Sequence, residues 1–103
     1  MIAEIYRTGR ALEGLGYSLP AVAVLEIISD AESLGELLGM GQIAERLGPS
    51  SSYATNLVDQ LERIGLVERT RPQSDRRRVI ISITKKGVSE YESIMHSLFQ
   101  SSK

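Results

Sequence analysis

The stretch from residue 50 to residue 87 constrains this chain most. An amphipathic helical segment stops at Gly65, an apolar run follows at 66–70, and a second comes at 79–83. From the end of the first run to the start of the second, the ten residues 69–78 hold five arginines and one aspartate. Short β-rich runs around a polar turn pair as an antiparallel hairpin. A hairpin attached directly to a helix carries its tip beside that helix. The arginine cluster and the helix's polar side are therefore expected on one surface, with the charge sign that suits a polyanion.

The formal net charge of −1 conceals an asymmetry in its distribution. Residues 1–48 carry three arginines against seven acids, whereas residues 49–103 carry nine lysines and arginines against six acids. Ordinary solvated faces can produce such a gradient, but the density at 69–78 argues for a partner. A chain of 103 residues makes one domain, spanning 1–103, with a modest core. The absence of cysteine excludes a disulfide framework, a thiolate metal site and a thiol redox switch. The longest apolar stretch, residues 19–28, is broken by Glu26 and is too short to span a membrane, and no signal-peptide pattern opens the chain. A soluble cytoplasmic protein is expected.

Nothing in the sequence points to catalysis. It shows no nucleophile with a neighbouring base, no glycine loop for phosphate and no metal-ligand cluster. The lone His96 is expected as a solvated surface residue, and Glu90 and Glu92 fall on different sides of a helix. No cofactor and no metal are expected.

Helical spacing of Ile2, Ile5, Tyr6, Gly9 and Leu12 predicts a first helix over about residues 1–15, stopped by Gly14 and Gly16. Ser18 is placed to cap a second helix, with Pro20 in its first turn and Val22, Leu25 and Ile28 as the apolar stripe. Residues 30–41 are expected as a loop with a short helix, because Leu34, Leu37 and Leu38 alternate with Gly35, Gly39 and Gly41. A third helix is predicted at 42–47, with Ile43, Ala44 and Leu47 inward and Gly48-Pro49 as its break.

Ser50 is placed as the N-cap of the next helix, in which Ala54, Leu57, Val58, Leu61 and Ile64 follow one buried face. The opposite side presents Ser51, Ser52, Tyr53, Thr55, Asn56, Asp59, Gln60 and Arg63. Short polar groups near a helix's amino end suit the edges of bases in a major groove, where Asn and Gln pair with adenine and a Thr methyl packs on thymine. Arginines on the hairpin turn, Arg69, Arg71, Arg76, Arg77 and Arg78, can reach phosphates or a narrow minor groove. Asp75 among them either holds a neighbouring arginine or forms the turn through an Asx contact. The expected fold is mainly α with a small antiparallel β wing, a winged helix-turn-helix.

Gln42-Ile-Ala-Glu-Arg-Leu-Gly48, the run SSSYATNLVDQLERIGLVER at 50–69, Asp75-Arg-Arg77 and Ser82-Ile-Thr-Lys-Lys-Gly87 together resemble the winged-helix core of the MarR family of bacterial and archaeal transcriptional regulators. The resemblance covers roughly residues 19–95. Its most specific part is the Asp-Arg wing followed at this spacing by a strand and Thr-Lys-Lys-Gly. It implies a homodimeric regulator, a repressor in the first instance, on a pseudo-palindromic operator in double-stranded DNA, with recognition helices in successive major grooves and wings in the flanking minor grooves. It places recognition-helix contacts on Ser51, Ser52, Thr55, Asn56 and Gln60, and wing contacts on Asp75, Arg76 and Arg77. Tyr53 departs from the small or branched residue usual at its position, which leaves a phosphate contact and a packing role both open. Members usually carry a further C-terminal helix, so this chain reads as a short version.

Dimerisation has a separate argument in the residues. Thr84 can cap a last helix over about 85–101, in which Val88, Tyr91, Met95 and Leu98 keep nearly heptad spacing beside Ile94 and Phe99. That stripe is expected to meet Ile2, Ile5, Tyr6 and Leu12 of a second chain; folding back on its own chain is the alternative. No effector pocket is marked in the sequence. The rival functional reading is a winged-helix module that binds another protein without specific DNA readout.

Overall fold

The computed structural model describes residues 16–48 and 53–100. These form α1 (Leu19–Ser33), α2 (Met40–Leu47), α3 (Ala54–Arg63), β1 (Val67–Thr70), β2 (Ile80–Ile83) and α4 (Lys85–Gln100) in chain order. The expected first helix, with Ile2, Ile5, Tyr6 and Leu12, lies outside the described residues, as do Ser50, Ser51 and Ser52. No described helix is long and apolar enough to cross a membrane.

Helix α1 starts as expected: the Ser18 hydroxyl accepts the Ala21 amide at 3.3 Å, with Pro20 in the first turn. It ends differently. The helix runs on to Ser33, and Gly35 at φ +77° closes it, with Gly35 N–H on the Glu32 carbonyl and Glu36 N–H on the Ala31 carbonyl. This paired closure needs a left-handed residue, which glycine adopts without Cβ strain. The glycine read as an obstacle to helix is thus its terminator, and no short helix follows. Leu34 and Leu37 are exposed, while Leu38 is buried and pairs as an isolated bridge with Ile81.

Helix α2 begins two residues before the predicted 42–47 because Gln42 reaches back, its side-chain oxygen accepting the Gly39 amide at 2.9 Å. Of its expected inward residues Ile43 is fully buried, with Ala44 and Leu47 partly so. Helix α3 buries Ala54, Leu57, Val58 and Leu61, but Ile64 is 45% exposed because it falls after the last full turn. Gly65 at φ +83° then repeats the closure seen at α1, donating to Glu62 while Leu66 donates to Leu61.

The hairpin pairs Val67 with Ile83 and Arg69 with Ile81. Each strand begins one residue later than predicted. Its outer edge is closed from within the chain: Ile81 N–H donates to the Leu38 carbonyl and Ile83 N–H to the Glu32 carboxylate, both at 2.8 Å. An edge strand so occupied offers little to another chain's backbone. The core fills the space between α1, α3 and the sheet with Val24, Leu25, Ile28, Ile43, Val58, Leu61, Leu66 and Val67.

Helix α4 is capped by Thr84, whose hydroxyl accepts the Gly87 amide at 2.9 Å and donates to the Gly65 carbonyl at 2.6 Å. One side chain thereby fastens the start of α4 to the end of α3. Gly87 has a steric reason: a Cβ there would overlap the Leu66 carbonyl oxygen and sit 2.7 Å from the Ile83 side chain. The expected seam on α4 is divided. Ile94 is buried against Val22 of α1, with Tyr91, Met95 and Leu98 packed around them, so this part folds back on its own chain. Val88 is 40% and Phe99 71% exposed. At about 100° per residue, Val88, Met95 and Phe99 lie beside the Ile94 line rather than on it, so the apolar face is wider than one helix can cover. Between α1 and α4 lies an open groove of about 250 Å³, walled in part by Leu19, Val22, Met95 and Leu98, which no sequence signal had marked.

Candidate nucleic-acid interface

Helix α3 carries the first half of the site. Burial of Ala54, Leu57, Val58 and Leu61 turns Thr55, Asn56, Gln60 and Arg63 to solvent, all four exposed. Tyr53, just ahead of the helix, is 41% exposed, which takes its ring out of the core. Ser50, Ser51 and Ser52, predicted to belong to the same surface, lie outside the described residues.

The hairpin tip carries the second half. Two successive backbone turns shape it, Asp75 N–H on the Pro72 carbonyl and Arg78 N–H on the Asp75 carbonyl. Asp75 fulfils both roles left open by its sequence position. Its Oδ1 accepts the Arg77 amide at 3.2 Å as an Asx contact and faces Arg77 Nε at 3.5 Å. Arg77 is nonetheless 95% exposed along its side chain, so this pair orients more than it binds. Arg71 reaches across the turn and donates to the Arg76 carbonyl at 2.9 Å, which braces the loop. Arg76 and Arg78 are exposed, and neither side chain has a hydrogen-bond partner among the described residues.

Arg69 departs from the other four arginines. It leaves β1 on the same face as buried Val67, and its Nη2 donates to Asp59 at 2.7 Å while Nη1 donates to Glu62. Only 29% of its side chain is accessible. The Asp59 hydrogen bond is the main reason that its guanidinium is held even further above the usual arginine range, against a smaller opposing effect of burial. Arg69, expected among the DNA contacts, thus has both arms of its fork engaged within the chain. Two carboxylates three residues apart on α3 were legible in the sequence; which cation closes over them was not.

The anchoring of the site on α4 carries no signal in the sequence. Lys86 donates from Nζ to the Ile64 carbonyl at 2.9 Å, at the carboxyl end of α3 where a cation meets the helix dipole favourably. Tyr17, ahead of α1, donates its hydroxyl to Glu90 at 2.9 Å; burial first and this carboxylate second push its pKa up.

Residues 17–79 match the model of the MarR family. Among curated proteins the chain is 35% identical over 71 residues to YfiV of Bacillus subtilis (strain 168), an HTH-type transcriptional regulator; the match takes in 69% of this chain and 42% of that relative's length. Among solved structures it is similar to a single-site mutant of MepR from S. aureus bound to an oligodeoxyribonucleotide, with TM-score 0.80 and 25% identity over 96% of this chain and 70% of that one. The transcriptional regulator BldR from Sulfolobus solfataricus superposes with TM-score 0.75 and 33% identity, over 96% of this chain and 72% of that one.

Proposed function

The chain belongs to the MarR family, and we propose that it is a DNA-binding transcriptional regulator, a homodimeric repressor acting on a pseudo-palindromic operator. The observation that carries this reading is the exposed polar side of α3, Thr55, Asn56 and Gln60, joined directly to a hairpin whose tip presents Arg76, Arg77 and Arg78. Helix α3 supplies base-edge contacts from Thr55, Asn56 and Gln60, with Ser51 and Ser52 as further contacts and Tyr53 reaching a phosphate. The arginine tip enters the flanking minor groove or lies on its phosphates. Similarity to a MepR structure bound to an oligodeoxyribonucleotide supports this assignment.

In this reading residues 1–103 form one domain, with the segments at about 1–15 and 85–101 as its dimerisation part. The width of the apolar face on α4 supports that. Ile94 satisfies α1 while Val88 remains 40% exposed, and the stripe of Ile2, Ile5, Tyr6 and Leu12 is of the right chemistry to cover it. A two-fold dimer sets its recognition helices about one DNA turn apart, so the operator is an inverted repeat with half-sites near 10 base pairs centre to centre.

Selection of bound fragments from random duplexes, followed by titration at several salt concentrations, tests the reading. One enriched inverted repeat is expected, bound with an affinity that falls steeply as salt rises. Equal affinity for the selected and random duplexes would overturn it and favour a protein-binding module. Sedimentation of the protein at tens of micromolar tests assembly: Val88→Asp should shift dimer to monomer and weaken operator binding, because each half-site then loses the tethered second module.

A further inference from the structure

The two halves of the interface meet at one side chain. Arg69 stands at the root of the wing, and its planar fork spans Asp59 and Glu62 of α3, with one arm on each carboxylate. Those carboxylates lie on the flank of the recognition helix at 45% and 40% side-chain accessibility, next in sequence to Gln60 and Arg63. Left to themselves, two negative groups on that flank would repel a phosphate backbone, and no charged side chain of the wing would hold it to the polar flank of the helix.

We propose that Arg69 is a positioning residue for DNA binding: it clamps the root of the wing to the recognition helix and draws Asp59 and Glu62 in from the DNA-facing flank, without touching a phosphate. The inference rests on the reading that α3 and the wing face DNA together. Two charge-assisted hydrogen bonds, among the stronger polar contacts a side chain makes, set where the Arg69 guanidinium lies, and only 29% of its side chain is accessible from outside. The tip arginines have no such commitment, since Arg76 and Arg78 hold no side-chain partner among the described residues and Arg77 keeps 95% of its side chain exposed.

The geometry makes charge alone insufficient. A guanidinium presents its donors in a fixed plane and holds two carboxylates on separate arms at a set spacing, whereas an ammonium is a compact charge on a flexible stem that sets no such spacing. Arg69→Lys therefore separates the two ways the residue could act. A simple positive charge or a phosphate contact survives that change in large part, and a two-armed clamp does not.

The experiment measures dissociation constants of the full chain for the duplex enriched from the random pool and for a scrambled duplex, using wild type, Arg69→Lys, Arg69→Met, Asp59→Asn with Glu62→Gln, and the combined variants. Arg69→Lys and Arg69→Met are each expected to weaken binding by about 3- to 30-fold, the range of coupling seen for contacting groups. Arg69→Met placed on the Asp59→Asn, Glu62→Gln background is expected to add less than about twofold, because groups acting as one unit are not lost twice. Hydrogen exchange of the unbound protein supplies a readout independent of DNA. The amides of Thr70 and Ile81 should exchange faster in Arg69→Lys while the global unfolding midpoint stays within a few degrees. Wild-type affinity in Arg69→Lys would overturn the proposal, as would the same penalty for Arg69→Met in both backgrounds. Should Arg69→Met fail to fold, Arg69→Lys against the carboxylate pair completes the same cycle. Failure of the wild type to bind any duplex above the scrambled control removes the underlying reading, an outcome distinct from a wild type that binds and is indifferent to Arg69.

Discussion

Helix α3 and the tip of the wing are joined through Arg69 and are held in opposite ways. The helix presses Ala54, Leu57, Val58 and Leu61 into the core, all 7% exposed or less, and is closed at Gly65 by two backbone hydrogen bonds. The tip, residues 71–79, buries almost nothing; two backbone turns, the Arg71 brace and the Asp75 contacts are its whole support among the described residues. On the function proposed above, the difference matches what each region recognises. Discrimination between bases needs donors and acceptors fixed to within a fraction of an ångström, so those groups sit on a helix whose other side is locked by packing. Phosphates and a minor groove vary in width and position with sequence, so on the same reading they suit long exposed cations on a loop with few packing contacts.

The largest effect that would test this contrast is on the buried side of α3. Leu61→Ala is expected to cost about 2–5 kcal/mol in denaturant unfolding, whereas Arg76→Ala at the tip should stay within about 0.5 kcal/mol. Equal costs would mean that the tip is built into the fold after all. Next in size is the joint between the two regions, where Gly87→Ala forces a methyl onto the Leu66 carbonyl and should destabilise by about 1–3 kcal/mol, the usual penalty for overpacking. Calorimetry of the variant checks this, and an unchanged melting temperature would show that α4 can retreat from Leu66 and Ile83.

On the DNA side, Asn56→Ala and Thr55→Ala should each reduce discrimination between operator and mismatched duplex by about 1–3 kcal/mol, with random-duplex affinity nearly constant. Competition titrations against single-base variants measure it. The smallest expected change belongs to the tip, where Arg76→Ala and Arg77→Ala should weaken specific and random duplex alike and reduce the slope of log affinity against log salt by about 1 each. Silent helix variants together with wing variants that abolish all preference would invert the comparison, with recognition then carried by DNA shape.

Much of the scaffold for both regions was legible in the residues because short-range rules fixed it. Ser18 caps α1, Thr84 caps α4, and Gly65 ends α3, each through contacts within a turn of the residue itself. The hairpin followed from two β-rich runs and a polar turn, to within one residue. The stretch at 30–41 was harder, since Gly35 satisfies both a loop and a helix terminator until the Ala31 and Glu32 carbonyls are seen to need it. Leu38 could not be assigned as a sheet partner because its mate, Ile81, is 43 residues away.

The sequence by itself determined the polar and apolar sides of α3, the arginine density of the wing and the family pattern, because these depend on residue type and spacing alone. Tertiary structure decided which charges are available. Arg69 reads in the sequence as one of five equivalent arginines, and only the packing of β1 against α3 brings its fork to Asp59 and Glu62, ten and seven positions back. The same holds for α4, whose apolar face reads as one stripe until Val22 of α1 takes Ile94 and leaves Val88 outside. Local sequence sets what a side chain can do; the distance to a partner far along the chain sets whether it is already occupied, and that distance exists only once the elements have packed.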